Sequence, residues 1–491
     1  MPLTSFADEA RIAVTTLAER IGALRGPTVR LGVTGLSRAG KTVFITALVH
    51  NLIHGGRLPL FKAYSSGRVT GAALEPQPDD AVPRFDYEAH VADMVEQRTW
   101  PESTYRISEL RLTISYESAT FLGRNFGRGR LNVDIVDYPG EWLLDLPLLA
   151  KDFSQWSAET IARAEDRSRH GTGDAWLGRI RELAPNAPAD EMLAKELAGL
   201  FTDYLRACRD DRRSPSTLPP GRFLMPGDLE GSPALTFSPL IGDGADAGRR
   251  SLYNMMARRY EAYKSVVVKP FFREHFTRLD RQIVLVDALQ ALNAGPAALR
   301  DLEVALTEIL ACFRPGRSNF LSRILSRRID RILLAATKAD HLHHRDHDRL
   351  EAILTRLLAR VVERVSIEGA GIEAVALASV RATKEGTVVQ SGERLPSIIG
   401  TPLKGETLNG ETFDGATEVA LFPGDLPDDP AVVFEAVDAE ETGKKRKRAA
   451  PVRFMRFRPP PLERTAEGLT LSLPHIRLDR ALEYLLGDRL A

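Results

Sequence analysis

The chain is poor in cysteine, in long apolar runs and in net charge, and each shortage excludes something. Its 491 residues include two cysteines, Cys208 and Cys312. Neither belongs to a C-x-x-C pair or to a metal-ligand spacing, which excludes a disulfide scaffold and a thiolate metal centre. Both read as reduced core residues of a cytosolic protein. No apolar run reaches the roughly 20 residues of a membrane span, and the N-terminal stretch lacks the basic start and apolar core of a signal peptide. A soluble, cytoplasmic chain is expected. The 66 basic and 66 acidic residues cancel, so no global field recruits nucleic acid or an anionic membrane. No nucleic-acid partner is expected, and no internal repeat is visible.

What is present is organised around residues 35–42, Gly-Leu-Ser-Arg-Ala-Gly-Lys-Thr. They fit G-x-x-x-x-G-K-[ST], the P-loop pattern. Gly35 and Gly40 let the backbone curl so that the N–H groups of Ser37, Arg38, Ala39, Gly40, Lys41, Thr42 and Val43 ring phosphate oxygens, and a following helix adds its positive end. Lys41 would reach the β and γ phosphates, and Thr42 would offer its hydroxyl to Mg2+. Residues 29–34 read as a strand entering the loop and 43–52 as a helix leaving it, the setting that the motif demands.

Downstream, residues 107–116 and 131–136 are strand-like, and the second runs into Asp137-Tyr-Pro-Gly-Glu. Asp137 fits a second carboxylate near Mg2+, held through water. Gly140, at D-x-x-G spacing, would bond the γ phosphate through its N–H and move once that group leaves. Strands at 282–286, 332–336 and 374–378 alternate with helices at 297–312 and 349–365. Such alternation predicts an α/β fold with a parallel sheet covered by helices on both faces. After the strand at 332–336 comes Thr337-Lys338-Ala339-Asp340. A carboxylate there accepts from guanine N1–H and the N2 amine together, each charge-assisted bond contributing about 1.5 to 3 kcal/mol. Adenine offers neither donor. Lys338 would lay its stem over the base.

These stretches resemble the translation-factor class of P-loop GTPases. Residues 35–42, 137–140 and 337–340 match its first, third and fourth boxes, with Thr337 in place of the usual Asn, and Ser379 and Val380 stand in the region of the fifth. More narrowly, the P-loop, Trp100-Pro101, Asp-Tyr-Pro-Gly-Glu, Thr-Lys-Ala-Asp and the tail Leu-Pro-His-Ile-Arg-Leu-Asp-Arg-Ala-Leu at 473–482 resemble the bacterial YcjX-like family across nearly the whole chain. The resemblance implies a GTPase-type P-loop fold and a GTP- or GDP-binding protein with Mg2+-dependent hydrolysis, working as a switch in bacterial stress response. Its partners would be guanine nucleotide and an unidentified protein effector, soluble or membrane-associated. The oligomeric state is left open. A nucleotide-stabilised scaffold with little hydrolysis, and an ATP-using ATPase or kinase, stay as alternatives.

Two departures bear on catalysis. Thr99 and Thr104 both stand where a second-box threonine would meet Mg2+, and Thr104 is preferred because a strand begins just after it. Glu141 occupies the place where many such GTPases carry a glutamine; a carboxylate accepts from the attacking water but cannot donate to the transition state, which implies slow intrinsic turnover. No arginine finger is assigned: Arg38, in the loop, and Arg68 or Arg98, beyond it, are placed to act in cis, but each reads first as an exposed, solvated arginine.

The expected organisation is an N-terminal helix at 1–27, a GTPase domain split between 28–150 and 281–385, a helical insertion at 151–280, a β-rich extension at 386–476 and a C-terminal helix at 477–491 packing back on the nucleotide domain. Residues 55–84 read as a long loop, the runs at 432–434 and 452–454 as short strands, the histidines of 341–347 as a solvated helix start and the basic run 444–448 as a loop.

Overall fold

The computed structural model describes residues 26–35, 39–102, 106–119, 129–168, 173–184, 186–210, 218–242, 244, 247–275, 278–311, 329–365, 371–390, 392–408, 410–441, 455–462 and 472–491. The N-terminal helix, Ser37, Arg38, Thr104, Cys312 and the runs 444–448 and 452–454 lie outside the described residues.

Apolar runs rich in Val, Ile and Leu build a seven-stranded sheet from β1 (Thr28–Gly35), β2 (Val69–Glu75), β3 (Ser108–Tyr116), β4 (Gly129–Asp137), β5 (Arg281–Val286), β6 (Arg331–Ala336) and β7 (Gly371–Ala376), in the order β2-β3-β4-β1-β5-β6-β7. The five strands from β4 to β7 run parallel, and β2 and β3 add an antiparallel edge. This is the mixed α/β architecture of a P-loop GTPase fold. The period of two along each strand divides its side chains between two cores. Ile283, Leu285, Leu333 and Ala335 face the P-loop helix Lys41–Ile53 and the C-terminal helix Leu478–Leu486. Val284, Val286, Ile332 and Leu334 face the opposite layer.

That opposite layer is largely the helices between β4 and β5. Phe153–Ser168, Asp174–Arg181, Glu191–Asp210 and Leu252–Tyr263 enclose an aromatic cluster in which Trp156 stacks on Tyr260 at 5.0 Å and Trp176 on Tyr204 at 5.3 Å. Cys208 is buried there, as a small apolar residue would be. The C-terminal helix covers the other face, where buried Arg281 donates to the Leu485 carbonyl at 3.2 Å and pairs with Asp330 and Asp488 at 2.6 and 2.8 Å. Farther along, Lys384–Gln390, Glu393–Gly400 and Val419–Leu421 form a small antiparallel sheet over its own cluster of Ile398, Leu421, Met455 and Phe457.

Three expectations need correction. Residues 55–84 are not one loop, since they contain the helix Lys62–Ser65 and β2. β2 has few apolar side chains to mark it and is held by its backbone ladder to β3, so periodicity passed it by. Val432, Val433 and Phe434 lie in the helix Ala431–Glu441, begun where Asp429 accepts from the Ala431 N–H at 2.8 Å, with Phe434 and Val437 buried one turn apart. The histidines of 341–347 are not uniformly solvated: His343 and His347 are buried and His344 is exposed.

Candidate functional site

β4, β1, β5 and β6 are parallel neighbours, so the loops leaving their C-terminal ends share one edge of the sheet. The P-loop leaves β1, Asp137 ends β4 and Thr337 follows β6. The fold therefore brings Lys41, Asp137 and Asp340 to one edge of the sheet.

Gly40 caps the P-loop helix at φ 81°, and the space its side chain would fill is open. Only glycine adopts that conformation without strain. Gly35 is packed, with Leu285 and Ala39 at 3.0 and 3.1 Å from a would-be Cβ. Lys41 Nζ lies 2.6 Å from Asp137 Oδ1, in a pair of which the carboxylate is 1% exposed. The Thr42 hydroxyl donates to the Glu102 carbonyl at 3.5 Å. A hydroxyl and a carboxylate are hard oxygen ligands of the kind Mg2+ takes, and a half-buried ammonium next to an open glycine turn suits phosphate. Ala39 is buried and Val43 half-buried against the apolar core beneath. The residues fit a magnesium nucleotide.

Farther along that edge, after β6, Lys338 has the left-handed φ of 61° and ion-pairs with Asp287. Buried Thr337 donates to the Val286 carbonyl at 3.3 Å. Asp340 is 4% exposed, and its Oδ2 accepts from the Ala382 N–H at 2.8 Å. Its carbonyl accepts from the Thr383 hydroxyl. The loop containing Ser379 and Val380, both buried, is thus tied to Asp340.

A second tie comes from the C-terminal segment. Ala378 and Ile476 exchange backbone bonds of 3.1 and 2.9 Å, and the Arg381 N–H donates to Pro474 at 2.7 Å. Asn51, on the P-loop helix, accepts from the Leu473 N–H at 3.0 Å and donates to the Leu473 carbonyl at 3.1 Å. One strap fastens both the P-loop helix and the loop beside Asp340. The tail motif was visible in the sequence, but its side-chain types give no sign of what its backbone touches.

Beyond Asp137, Gly140 opens an 11-residue 3-10 helix, Gly140–Ala150, whose residues 140–148 are all buried. Glu141 is 6% exposed. Of the two second-box candidates, Thr99 directs its hydroxyl to the Asp93 carbonyl at 3.4 Å. Arg68 donates to the carbonyls of Glu117 and Leu490, and Arg98 to that of Pro459 at 3.2 Å. Those bonds hold both arginines to backbone in this arrangement.

Nothing in the order of residues marks Asp145, Gly221, Arg222 or His90. His90 lies near enough to Asp137 to feel its charge, and burial lowers its pKa despite that carboxylate. Asp145 accepts from the Gly221 and Arg222 N–H groups at 2.7 and 3.3 Å and from the Tyr263 hydroxyl at 2.5 Å. Burial pushes its carboxyl up to about 6 against the pull of those donors. His343, His344 and Glu385 come together, with His344 Nδ1 at 2.7 Å from Glu385 Oε2; His347, at helical spacing from His343, is not in the group.

Among the described residues, no helix is long and apolar enough to cross a membrane. The family model described as the YcjX-like family, DUF463, matches residues 29–490. The chain is similar to the Ras-like GTPase YcjX of Escherichia coli (strain K12), 38% identical over 474 residues, covering 94% of this chain and 96% of that protein. It is also similar to the Ras-like GTPase YcjX of Shewanella oneidensis, 34% identical over 482 residues, covering 94% of each.

Proposed function

This chain belongs to the YcjX-like family, and from that premise we propose that it binds GTP and GDP with Mg2+ and hydrolyses GTP slowly. Lys41, Asp137 and Asp340 stand far apart in the sequence, and their convergence at one edge of the sheet carries this reading. The names of its relatives agree with it.

Each residue then has a task that its surroundings explain. The N–H groups around Gly40 and Lys41 cradle the phosphates, and Lys41 exchanges Asp137 for the β and γ oxygens. Thr42 and Asp137 hold Mg2+, with Thr104 as the second-box hydroxyl. The bound ion neutralises charge that develops on the phosphates. Gly140 bonds the γ phosphate through its N–H, and Glu141 accepts from the attacking water without donating, which limits the rate. Asp340 reads guanine, Lys338 covers the base, and Thr337, Ser379 and Val380 shape the base pocket. The protein works as a nucleotide-controlled switch in the bacterial cytoplasm under stress, on a protein effector that meets the helical layer. We further propose that this layer, residues 151–280, is an insertion dividing the GTPase domain, with the small sheet and terminal helix as its extensions.

Calorimetry with GTP, GDP and ATP in the presence of Mg2+, on the parent chain and on Lys41→Ala, tests the reading. Guanine-selective binding lost in the variant is expected. Equal or tighter ATP binding would make Asp340 a structural residue and the chain an ATPase or kinase.

A further inference from the structure

Asp145 sits on the same 3-10 helix as Gly140 and Glu141, yet among the described residues its three hydrogen-bond donors all come from the helical layer. Gly221 and Arg222 belong to the short helix Gly221–Leu224, and Tyr263 ends the helix Leu252–Tyr263. A carboxylate buried this deeply is a costly way to join two apolar layers, because an apolar residue of similar size would pack there without desolvating a charge. Its retention is understandable if what it supplies is geometry.

The surrounding contacts define that geometry. Gly221 donates to Asp145 while its Cα lies against Glu141, so closely that an added Cβ would stand 1.9 Å from the Glu141 carbonyl oxygen. The Arg222 guanidinium sits 3.2 Å above the Trp142 ring, and Trp142 Nε1 donates to the Met225 carbonyl at 3.3 Å. Glu141, Trp142 and Asp145 are therefore all gripped by residues 221–225. Runs of 3-10 helix as long as 11 residues are uncommon, and this one is held by contacts outside itself.

We infer that Asp145 is a positioning residue for hydrolysis, fastening Gly221 and Tyr263 of the helical layer to the turn that carries Gly140 and Glu141. The inference rests on the GTPase reading and adds how the helical layer takes part in it. The turn cannot shift after γ-phosphate loss without straining these bonds, so the layer both aligns Glu141 and registers the change.

The test uses the full chain as parent, Tyr263→Phe and Asp145→Asn, the first removing one hydroxyl and leaving the shape intact. Single-turnover GTP hydrolysis, GDP affinity, the thermal midpoint and Trp142 emission are measured together, with Trp142→Phe supplying the emission baseline. A displaced turn should slow hydrolysis about tenfold in Tyr263→Phe and about a hundredfold in Asp145→Asn. GDP affinity should stay within about twofold. The emission difference between GDP and a non-hydrolysable GTP analogue should collapse in both. Parent-like hydrolysis in both variants would overturn the inference, and so would a joint fall of rate, GDP affinity and midpoint, which would make the cluster a packing anchor only. A parent chain that binds no GTP would remove the GTPase reading itself, and the inference with it.

Discussion

The two halves of the candidate site, around Lys41 and around Asp340, are braced in different ways. At the base end the bonds are mostly backbone to backbone or engage backbone: Ala378 with Ile476, Arg381 with Pro474, Asn51 with Leu473 and Asp340 with Ala382. At the phosphate end no such backbone-to-backbone pairing is found among the ties described: Lys41 pairs with Asp137 side chain to side chain, and Asp145 holds two backbone N–H groups and the Tyr263 hydroxyl through its carboxylate, whereas the side-chain pair Lys338–Asp287 at the base end stands beside backbone pairing. Backbone pairing leaves few alternative arrangements, whereas an ion pair or a hydroxyl can exchange partners. Under the proposed GTPase reading, this contrast assigns base discrimination to the end held by backbone pairing and the response to the γ phosphate to the end held by the Lys41–Asp137 pair.

The largest effect should come at the fixed end. Asp340→Asn exchanges an acceptor for a donor facing the base, so GTP affinity should fall by about a hundredfold or more, about 3 kcal/mol, while xanthine nucleotides gain. Stability should change little, because the amide oxygen still accepts from the Ala382 N–H. Titration with both nucleotides beside urea denaturation decides it, and unchanged GTP affinity removes base reading from Asp340. Next comes Gly221→Ala, at the exchangeable end. Its Cβ must push the Glu141 carbonyl away, which should cost about 2 to 3 kcal/mol in denaturation and slow hydrolysis more than it weakens GDP. A silent substitution would show that the turn yields freely. Asn51→Ala then probes the strap. It leaves the buried Leu473 N–H and carbonyl unpaired, at about 2 kcal/mol, and should weaken GTP and GDP equally. Unequal losses would mean that the strap also senses the γ phosphate.

The same division governs what could be read beforehand. β1, β4, β5 and β6 announce themselves as apolar runs that end in, or lead straight into, Gly, Asp or Thr, because a buried parallel strand and the loop at its C-terminal end are both local in sequence. The α/β sheet and the positions of Lys41, Asp137 and Asp340 along it were legible for that reason. β2 was not, since Val-Thr-Gly-Ala-Ala-Leu-Glu has little alternation and owes its form to β3. Nor was Asp145, whose partners come from segments far along the chain and whose own neighbours, Leu144 and Leu146, mark nothing more than a buried stretch. Local chemistry can be read from order; a cluster assembled by packing cannot.

The smallest effect concerns the charge on Asp145. Its folded pKa is raised to about 6 from an ordinary 3.8, chiefly by burial, with Arg222 on one side pulling it down, the Tyr263 hydroxyl donating from the other and Tyr260 within reach of its charge. The sign is opposite to that of a salt-bridged carboxylate. Between pH 3.8 and about 6 the folded state holds more protons than the unfolded state at this group, so its contribution to stability grows as pH falls through that window and is lost as pH rises past about 6. Asp145→Asn does not titrate. Its stability relative to the parent should therefore fall by about 1 kcal/mol from pH 7 to pH 5, the difference cancelling titrations common to both chains. Urea denaturation of both at each pH measures it. A difference that is flat with pH would mean that the Asp145 carboxylate is not held against its own burial, and the contrast between a fixed end and an exchangeable end would then rest on the Lys41–Asp137 pair.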